Sequence, residues 1–275
     1  MGPEPTAVSL YAELLPIALK AVDKARDLIL GGTPGAVRFK GDRDMVSELD
    51  HAVEDAVRTL LSRVTPDIGF LGEEQGTTGP DSDLRWVFDP IDGTANLLHG
   101  IPLCAVSLAL VAGKRPVLGV IDLPFLDSRY AAVAGEGAKC DGHPICVSGV
   151  DSLADAAVSI GDYAVGHGSA EKNKLRLAVT GLLAGRAQRV RMFGSAAIDL
   201  AWLAHGHTDA VIILSNRPWD VAAGVIIAQE AGAIVVDQDG TPHTPDSGAT
   251  IATSPGIAKE VLHLLREAAA ESNEP

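Results

Sequence analysis

Cysteine is scarce: Cys104, Cys140 and Cys146 are the three in 275 residues. An odd number cannot pair completely, and their spacing lacks a zinc signature, so a disulfide scaffold is excluded and reduced thiols are expected. Positive charge is also short. The chain holds 22 Lys and Arg against 36 Asp and Glu, a net charge of −14. So acidic a surface opposes nonspecific nucleic-acid binding, which needs cations to displace counterions from phosphates. An acidic protein that handles anionic substrates must neutralise its site locally, and bound cations would do so. Long apolar runs are missing as well. The windows 103–112 and 221–228 fall well short of the roughly 20 residues that span a bilayer. The start of the chain shows no basic segment followed by an apolar stretch, so no secretory leader is expected. These absences predict a soluble cytoplasmic protein without direct nucleic-acid or membrane partners.

An apolar content of 47% over this length is enough to bury a substantial core. Apolar positions at helical spacing predict a helix over 7–30, with Pro16 as a possible kink, and a second over 45–64. Residues 33–43 read as a polar loop. On the second helix Asp50 and Glu54 fall on a flanking stripe, where Asp50 alone would be a solvated charge. A short strand is expected at 68–71 and another at 86–88. Runs at 104–111, 117–123 and 129–133 predict an antiparallel meander, followed by a hairpin near 135–142. The second half alternates: strands near 156–161, 187–191, 209–214, 233–236 and 249–253, and helices over 171–184, 195–205, 220–231 and 256–270. Such alternation reads as α/β with helices covering a mixed sheet. No repeat, low-complexity stretch or long linker divides the halves, which meet near residue 150.

The most informative stretch is Asp89-Pro-Ile-Asp-Gly-Thr94, directly after Trp86-Val-Phe88. It sets two carboxylates three residues apart on a turn that leads from a strand into a helix at 94–98. Carboxylates are hard oxygen ligands for Mg²⁺, Mn²⁺ or Ca²⁺, and two this close repel unless a cation sits between them. Backbone N–H groups at the helix start favour a phosphate above the strand end. Taken alone, the same residues also read as a solvent-exposed Asp-Gly turn. Three further acidic signals fit the metal reading. Glu73-Glu74 follows a strand end, Trp219-Asp220 precedes an apolar helix and puts Asp220 near its N-cap, and Asp50 lies on the second helix.

Together these residues resemble the inositol monophosphatase family of Mg²⁺-dependent, lithium-sensitive phosphatases, over nearly the whole chain. The likeness is carried by Gly72-Glu73-Glu74, Asp89-Pro-Ile-Asp92-Gly-Thr94-Ala-Asn96 and Trp219-Asp220-Val-Ala-Ala-Gly224, with Ser47-Glu-Leu-Asp50 and Gly194-Ser-Ala-Ala197 in further family positions. It implies a layered αβαβα sandwich of the sugar-phosphatase type (α/β with α+β character, mixed and antiparallel sheets), acting as a single catalytic unit with halves at about 1–150 and 151–270. It implies a first Mg²⁺ on Glu73, Asp89 and the Ile91 carbonyl, a second on Asp89, Asp92 and Asp220, and a third held more weakly near Glu73; Mn²⁺ can substitute. Asp50, Thr94 and Glu73 would activate the attacking water. Asp92, Gly93 and Thr94, with Gly194, Ser195 and Ala196, would contact phosphate or substrate. Lys40, in the polar loop, resembles a loop lysine of the family and is a further contact candidate. Direct attack by water without a phosphoenzyme, and a homodimer, are also implied.

Substrate choice is where the pattern departs. Members suited to inositol phosphates carry an acid seven positions before the Trp-Asp aspartate; here that position is Ile213. An apolar side chain accepts no hydroxyl hydrogen bond. The expected activity is hydrolysis of a small phosphorylated metabolite, inositol monophosphate first, with histidinol phosphate, fructose 1,6-bisphosphate and 3′-phosphoadenosine 5′-phosphate as alternatives. A reading of another class is a non-enzymatic binding partner of the transcription machinery, as some bacterial relatives are. Two other motifs carry little. His205-Gly-His207 lacks a third ligand, and the Gly135–Gly142 segment lacks the spacing of a nucleotide loop.

Overall fold

The computed structural model describes residues 5–41 and 44–272, with side chains at 10–38 and 45–272. In chain order the elements begin with α1 (Pro5–Gly31), β1 (Val37–Gly41), β2 (Asp44–Ser47), α2 (Glu48–Val64), β3 (Gly69–Gly72), β4 (Gly76–Thr78), β5 (Leu84–Asp92) and α3 (Thr94–Leu98). The meander follows as β6 (Ala105–Ala112), β7 (Arg115–Leu123), β8 (Ser128–Val133), β9 (Ala138–Cys140) and β10 (His143–Ile145). The alternating half gives β11 (Ala157–Ile160), α4 (Ser169–Arg186), β12 (Arg189–Arg191), α5 (Ala196–Ala204), β13 (Ala210–Ile213), α6 (Pro218–Glu230), β14 (Ile234–Val236), β15 (Thr250–Thr253) and α7 (Ala258–Ser272).

The sheets are mixed. The larger runs β10-β9-β8-β7-β6-β5-β3-β4, antiparallel except where β3 meets β5; the smaller runs β12-β11-β13-β15-β14. Four apolar clusters define the layers. One joins α1 and α2 to the large sheet, a second joins that sheet to α5 and α6, a third joins α5 and α6 to the small sheet, and a fourth joins the small sheet to α4 and α7. This is the expected αβαβα sandwich.

Alternation along the strands sorts the layers. On β6, Val106, Leu108 and Leu110 face α1 and α2, whereas Ala105, Ala109 and Val111 face α5 and α6. The small residues on the second face let α6 come close. A side chain at Gly119 of β7 would meet the Ala223 carbonyl at 2.6 Å. Each large apolar side chain buried in these layers contributes about 1.5–3 kcal/mol.

On the α1 face of β7, Asp122 is fully buried and accepts from Arg26 of α1 at 3.1 Å and from Arg129 of β8 at 2.8 Å. Burial lifts its carboxyl above the ordinary range even though the guanidiniums of Arg129 and Arg26 pull it down. This ion network bolts α1 to the meander.

Two expectations need correction. The polar loop at 33–43 is partly a hairpin: β1 pairs with β2, with Val37 opposite Ser47 and Arg38 opposite Val46. Its alternating Val-Arg-Phe-Lys run is a strand pattern that the flanking glycines obscure. The helix expected from 45 starts at Glu48, because Met45 and Val46 extend that hairpin. No described helix is long and apolar enough to cross a membrane.

Candidate active site

Strand β5 departs from regular pairing where the chemistry lies. Asp89 pairs with Ser107 and Asp92 with Ala105, so three steps on β5 match two on β6. Residues three apart on a regular strand point to opposite faces; this bulge brings both aspartates to one face. Pro90 supplies the break, since it cannot donate to a ladder. The face is the one covered by α6, where Ser107 donates to the Trp219 carbonyl at 3.2 Å. Asp220 follows in the first turn of that helix, near its N-cap position Arg217, as the sequence predicts. Glu73, one residue beyond β3, donates its N–H to the Phe88 carbonyl at 3.2 Å and so sits beside the end of β5.

Like charge accumulates here. Asp89 is buried, and its carboxyl is pushed well above the usual range, first by loss of water and then by Glu73, Asp92 and Asp220. Asp92 is raised to about 6, mainly by burial, while bonds from Ala197 and Ser195 pull it down. Burial, then Asp92 and Glu73, also raise Asp220 well above its ordinary value. No group of three or more His, Cys, Asp or Glu side chains among the described residues is drawn close enough to hold a metal ion. Glu73, Asp92 and Asp220 nonetheless stand near enough to Asp89 to raise its carboxyl, and a divalent cation among them would relieve that repulsion. The oxygen-only donor set suits Mg²⁺ or Mn²⁺.

Beside the cluster stands a different kind of acid. Asp50, which taken alone reads as a solvated helical charge, is buried at the first turn of α2. Its Oδ2 accepts from the Ser47 N–H at 2.9 Å and the Ser47 hydroxyl at 2.5 Å. Its Oδ1 lies 3.0 Å from Thr94 Oγ1, which is also 2.9 Å from the Ile91 carbonyl. The capping geometry thus fixes one oxygen and aims the other at the threonine.

Gly93, at φ +92°, makes the turn from β5 into α3, and a side chain there would meet the Leu103 carbonyl at 2.8 Å. Asn96 of α3 donates to the carbonyls of Leu103 and Phe193, each at 2.7 Å, tying this helix to the loop before α5. Asp92 Oδ2 accepts from Ser195 Oγ at 2.7 Å and from the Ala197 N–H at 2.6 Å. Gly194, Ser195 and Ala196 therefore stand over Asp92. With Asp220 they line a cavity of about 280 Å³ that continues past Ile213 toward Arg176 and Tyr163.

The site residues predicted from sequence occupy this neighbourhood, except that the side chain of Lys40 lies outside the described residues. Sequence reasoning missed the role of Glu54. It is fully buried and accepts from the Glu74 and Gln75 N–H groups at 2.8 and 2.9 Å, fixing the loop that carries Glu73. Its place one turn after Asp50 was the available signal. His205 and His207 stack with ring centres 4.4 Å apart, next to Tyr130 and Trp202.

Comparison with known proteins agrees with this geometry. The model of the inositol monophosphatase family matches residues 9–271. Inositol-1-monophosphatase ImpA of Mycolicibacterium smegmatis is 36% identical over 255 residues, covering 92% of each chain. A protein of Aquifex aeolicus named fructose-1,6-bisphosphatase/inositol-1-monophosphatase is 35% identical, covering 72% of this chain and 74% of its own. Among solved structures, the IMPase of Thermotoga maritima superposes with a TM-score of 0.87 at 31% identity, over 95% of this chain and all of that one.

Proposed function

Because this chain belongs to the inositol monophosphatase family, whose relatives are phosphoric monoester hydrolases, we propose that it releases phosphate from a small phosphorylated metabolite in a Mg²⁺-dependent reaction, with inositol monophosphate the leading substrate. The observation that carries the metal-dependent reading is the buried Asp89 facing three other acids, beside an Asp50–Thr94 pair held ready for proton transfer.

Glu73, Asp89 and the Ile91 carbonyl would hold one Mg²⁺, and Asp89, Asp92 and Asp220 a second, with a weaker third near Glu73. When bound, the ions supply charge neutralisation to the phosphate and the leaving oxygen. The chain's own groups do the rest. Thr94 Oγ1 accepts a proton from the attacking water as it passes its own to Asp50 Oδ1, the acceptor that Ser47 leaves free. Glu73, anchored through the loop that Glu54 clasps, assists in orienting that water. The Gly93 and Thr94 N–H groups face the phosphate at the start of α3, and Gly194, Ser195 and Ala196 wall the alcohol side. Glu73 and Asp89 come from the first half and Ser195 and Asp220 from the second, which supports one catalytic unit. Lithium inhibition, a homodimer and a cytoplasmic location complete the reading.

The test is phosphate release by the whole chain from inositol 1-phosphate, histidinol phosphate, fructose 1,6-bisphosphate and 3′-phosphoadenosine 5′-phosphate. Release that needs Mg²⁺ and stops with EDTA is expected. Release indifferent to EDTA refutes the metal-dependent reading.

A further inference from the structure

The cavity beside the acidic cluster ends in a cation that the fold does not neutralise. Arg176 of α4 lines it, donating to the Lys172 carbonyl and to Ser215 Oγ, each at 3.0 Å. No described carboxylate pairs with it. Arg26, Arg58, Arg129 and Arg186 of this acidic chain are in ion pairs with acids; Arg176 is not. Partial burial lowers the Arg176 pKa with no acid to offset it. A half-buried guanidinium in that position calls for an anion, and the bond from Ser215 steadies it without touching its charge.

Ile213 points the same way. It lines the same cavity as Arg176 and Asp220 and is buried. It offers a sugar hydroxyl no acceptor, and it adds no negative charge that would repel an anion at Arg176. Besides Asp92 and Asp220, two further acids line the cavity, Asp162 and Asp199. Asp162 is exposed, so water screens it, and Asp199 is buried in the first turn of α5 with its Oδ1 lacking a hydrogen-bond partner.

We infer that the end of the cavity formed by Arg176 and Ser215 binds a second anionic group, a carboxylate or another phosphate, on a substrate whose scissile phosphate lies at Asp92 and Asp220. This rests on the phosphatase reading above and departs from it in substrate, favouring phosphate esters that carry a further negative charge over inositol monophosphate.

The experiment compares the intact protein with Arg176→Gln and Arg176→Lys in saturating Mg²⁺. The esters are inositol 1-phosphate (neutral beyond its phosphate), fructose 1,6-bisphosphate, 3-phosphoglycerate and histidinol phosphate, the last bearing an ammonium. The wild type is expected to favour a doubly anionic ester in kcat/KM. Arg176→Gln should lower the ratio of that value to the inositol 1-phosphate value about tenfold or more, through KM, and Arg176→Lys should restore part of it. A preference for the bisphosphate identifies the second group as phosphate, and a preference for phosphoglycerate as carboxylate. A ratio that Arg176→Gln leaves unchanged, or a preference for the ammonium ester, overturns the assignment while the phosphatase reading stands. Release from none of the four overturns both. Ser215→Ala, which leaves α4 untouched, should lower the same ratio to a smaller degree.

Discussion

Asp122 and Asp89 are buried on opposite faces of the same sheet, two strands apart, and the chain treats them in opposite ways. Asp122 is met by the guanidiniums of Arg26 and Arg129, so its charge is matched from within the protein. Asp89 is met by Glu73, Asp92 and Asp220, which add to its charge. Asp50 is a third case, a buried carboxylate held by neutral donors on both oxygens. Burial alone therefore says little about purpose. An acid whose partners are basic serves the fold, whereas an acid whose partners are also acidic costs stability until something from solution joins it.

Substitutions separate these cases. Asp89→Asn should reduce phosphate release by about 10³-fold or more, since interactions worth several kcal/mol at the transition state depend on it. The same change should raise Tm in EDTA, because one member of a repelling set is gone. A fall in Tm there would break the contrast with Asp122. Asp50→Asn should lower kcat by about 10²-fold with little change in KM, as expected for a group that accepts a proton, while Thr94→Ser keeps most activity. Arg129→Ala should destabilise by about 2–3 kcal/mol, less than the full penalty for breaking a buried pair because Arg26 remains. Thermal unfolding followed by circular dichroism would read this.

The smallest effect is in the pH dependence. The Asp92 carboxyl is raised from 3.8 to about 6, and Asp89 and Asp220 are raised too, so the folded state holds protons that the unfolded state releases. For Asp92 the contribution to stability is full below the ordinary carboxylate range and is lost as pH rises through about 6. In EDTA the Tm advantage of Asp92→Asn over wild type should therefore grow from pH 4 to 7, and added Mg²⁺ should raise wild-type Tm more at pH 7 than at pH 5. A flat difference across that range would show the cluster to be uncoupled from folding.

The acidic motifs are legible in the sequence because each is local, and the alternation of helices and strands follows from periodicity, whereas the layered sandwich came with the family likeness and the strand carrying Asp89 runs on through Asp92 where a turn was expected. What stays hidden is long-range or conditional. Arg26 finds Asp122 across 96 positions, which no local pattern marks. Glu54 looks like any helix-surface charge until the β3 turn is folded against it. The β1–β2 hairpin was lost among polar residues, and Arg176 gives no sign in the sequence that it lacks a partner.

The extra residue in β5 makes the geometry of this centre a question of odd and even. Deleting Ile91 alone would let the strand run straight and keep Asp92 on the α6 face, two steps from Asp89, yet it would remove the carbonyl that holds Thr94 Oγ1 at 2.9 Å and shift the start of α3. Mutational scans that include single deletions should find this position far less forgiving than a substitution of Ile91 by Val or Leu, which keeps the carbonyl in place and fills most of the same buried space.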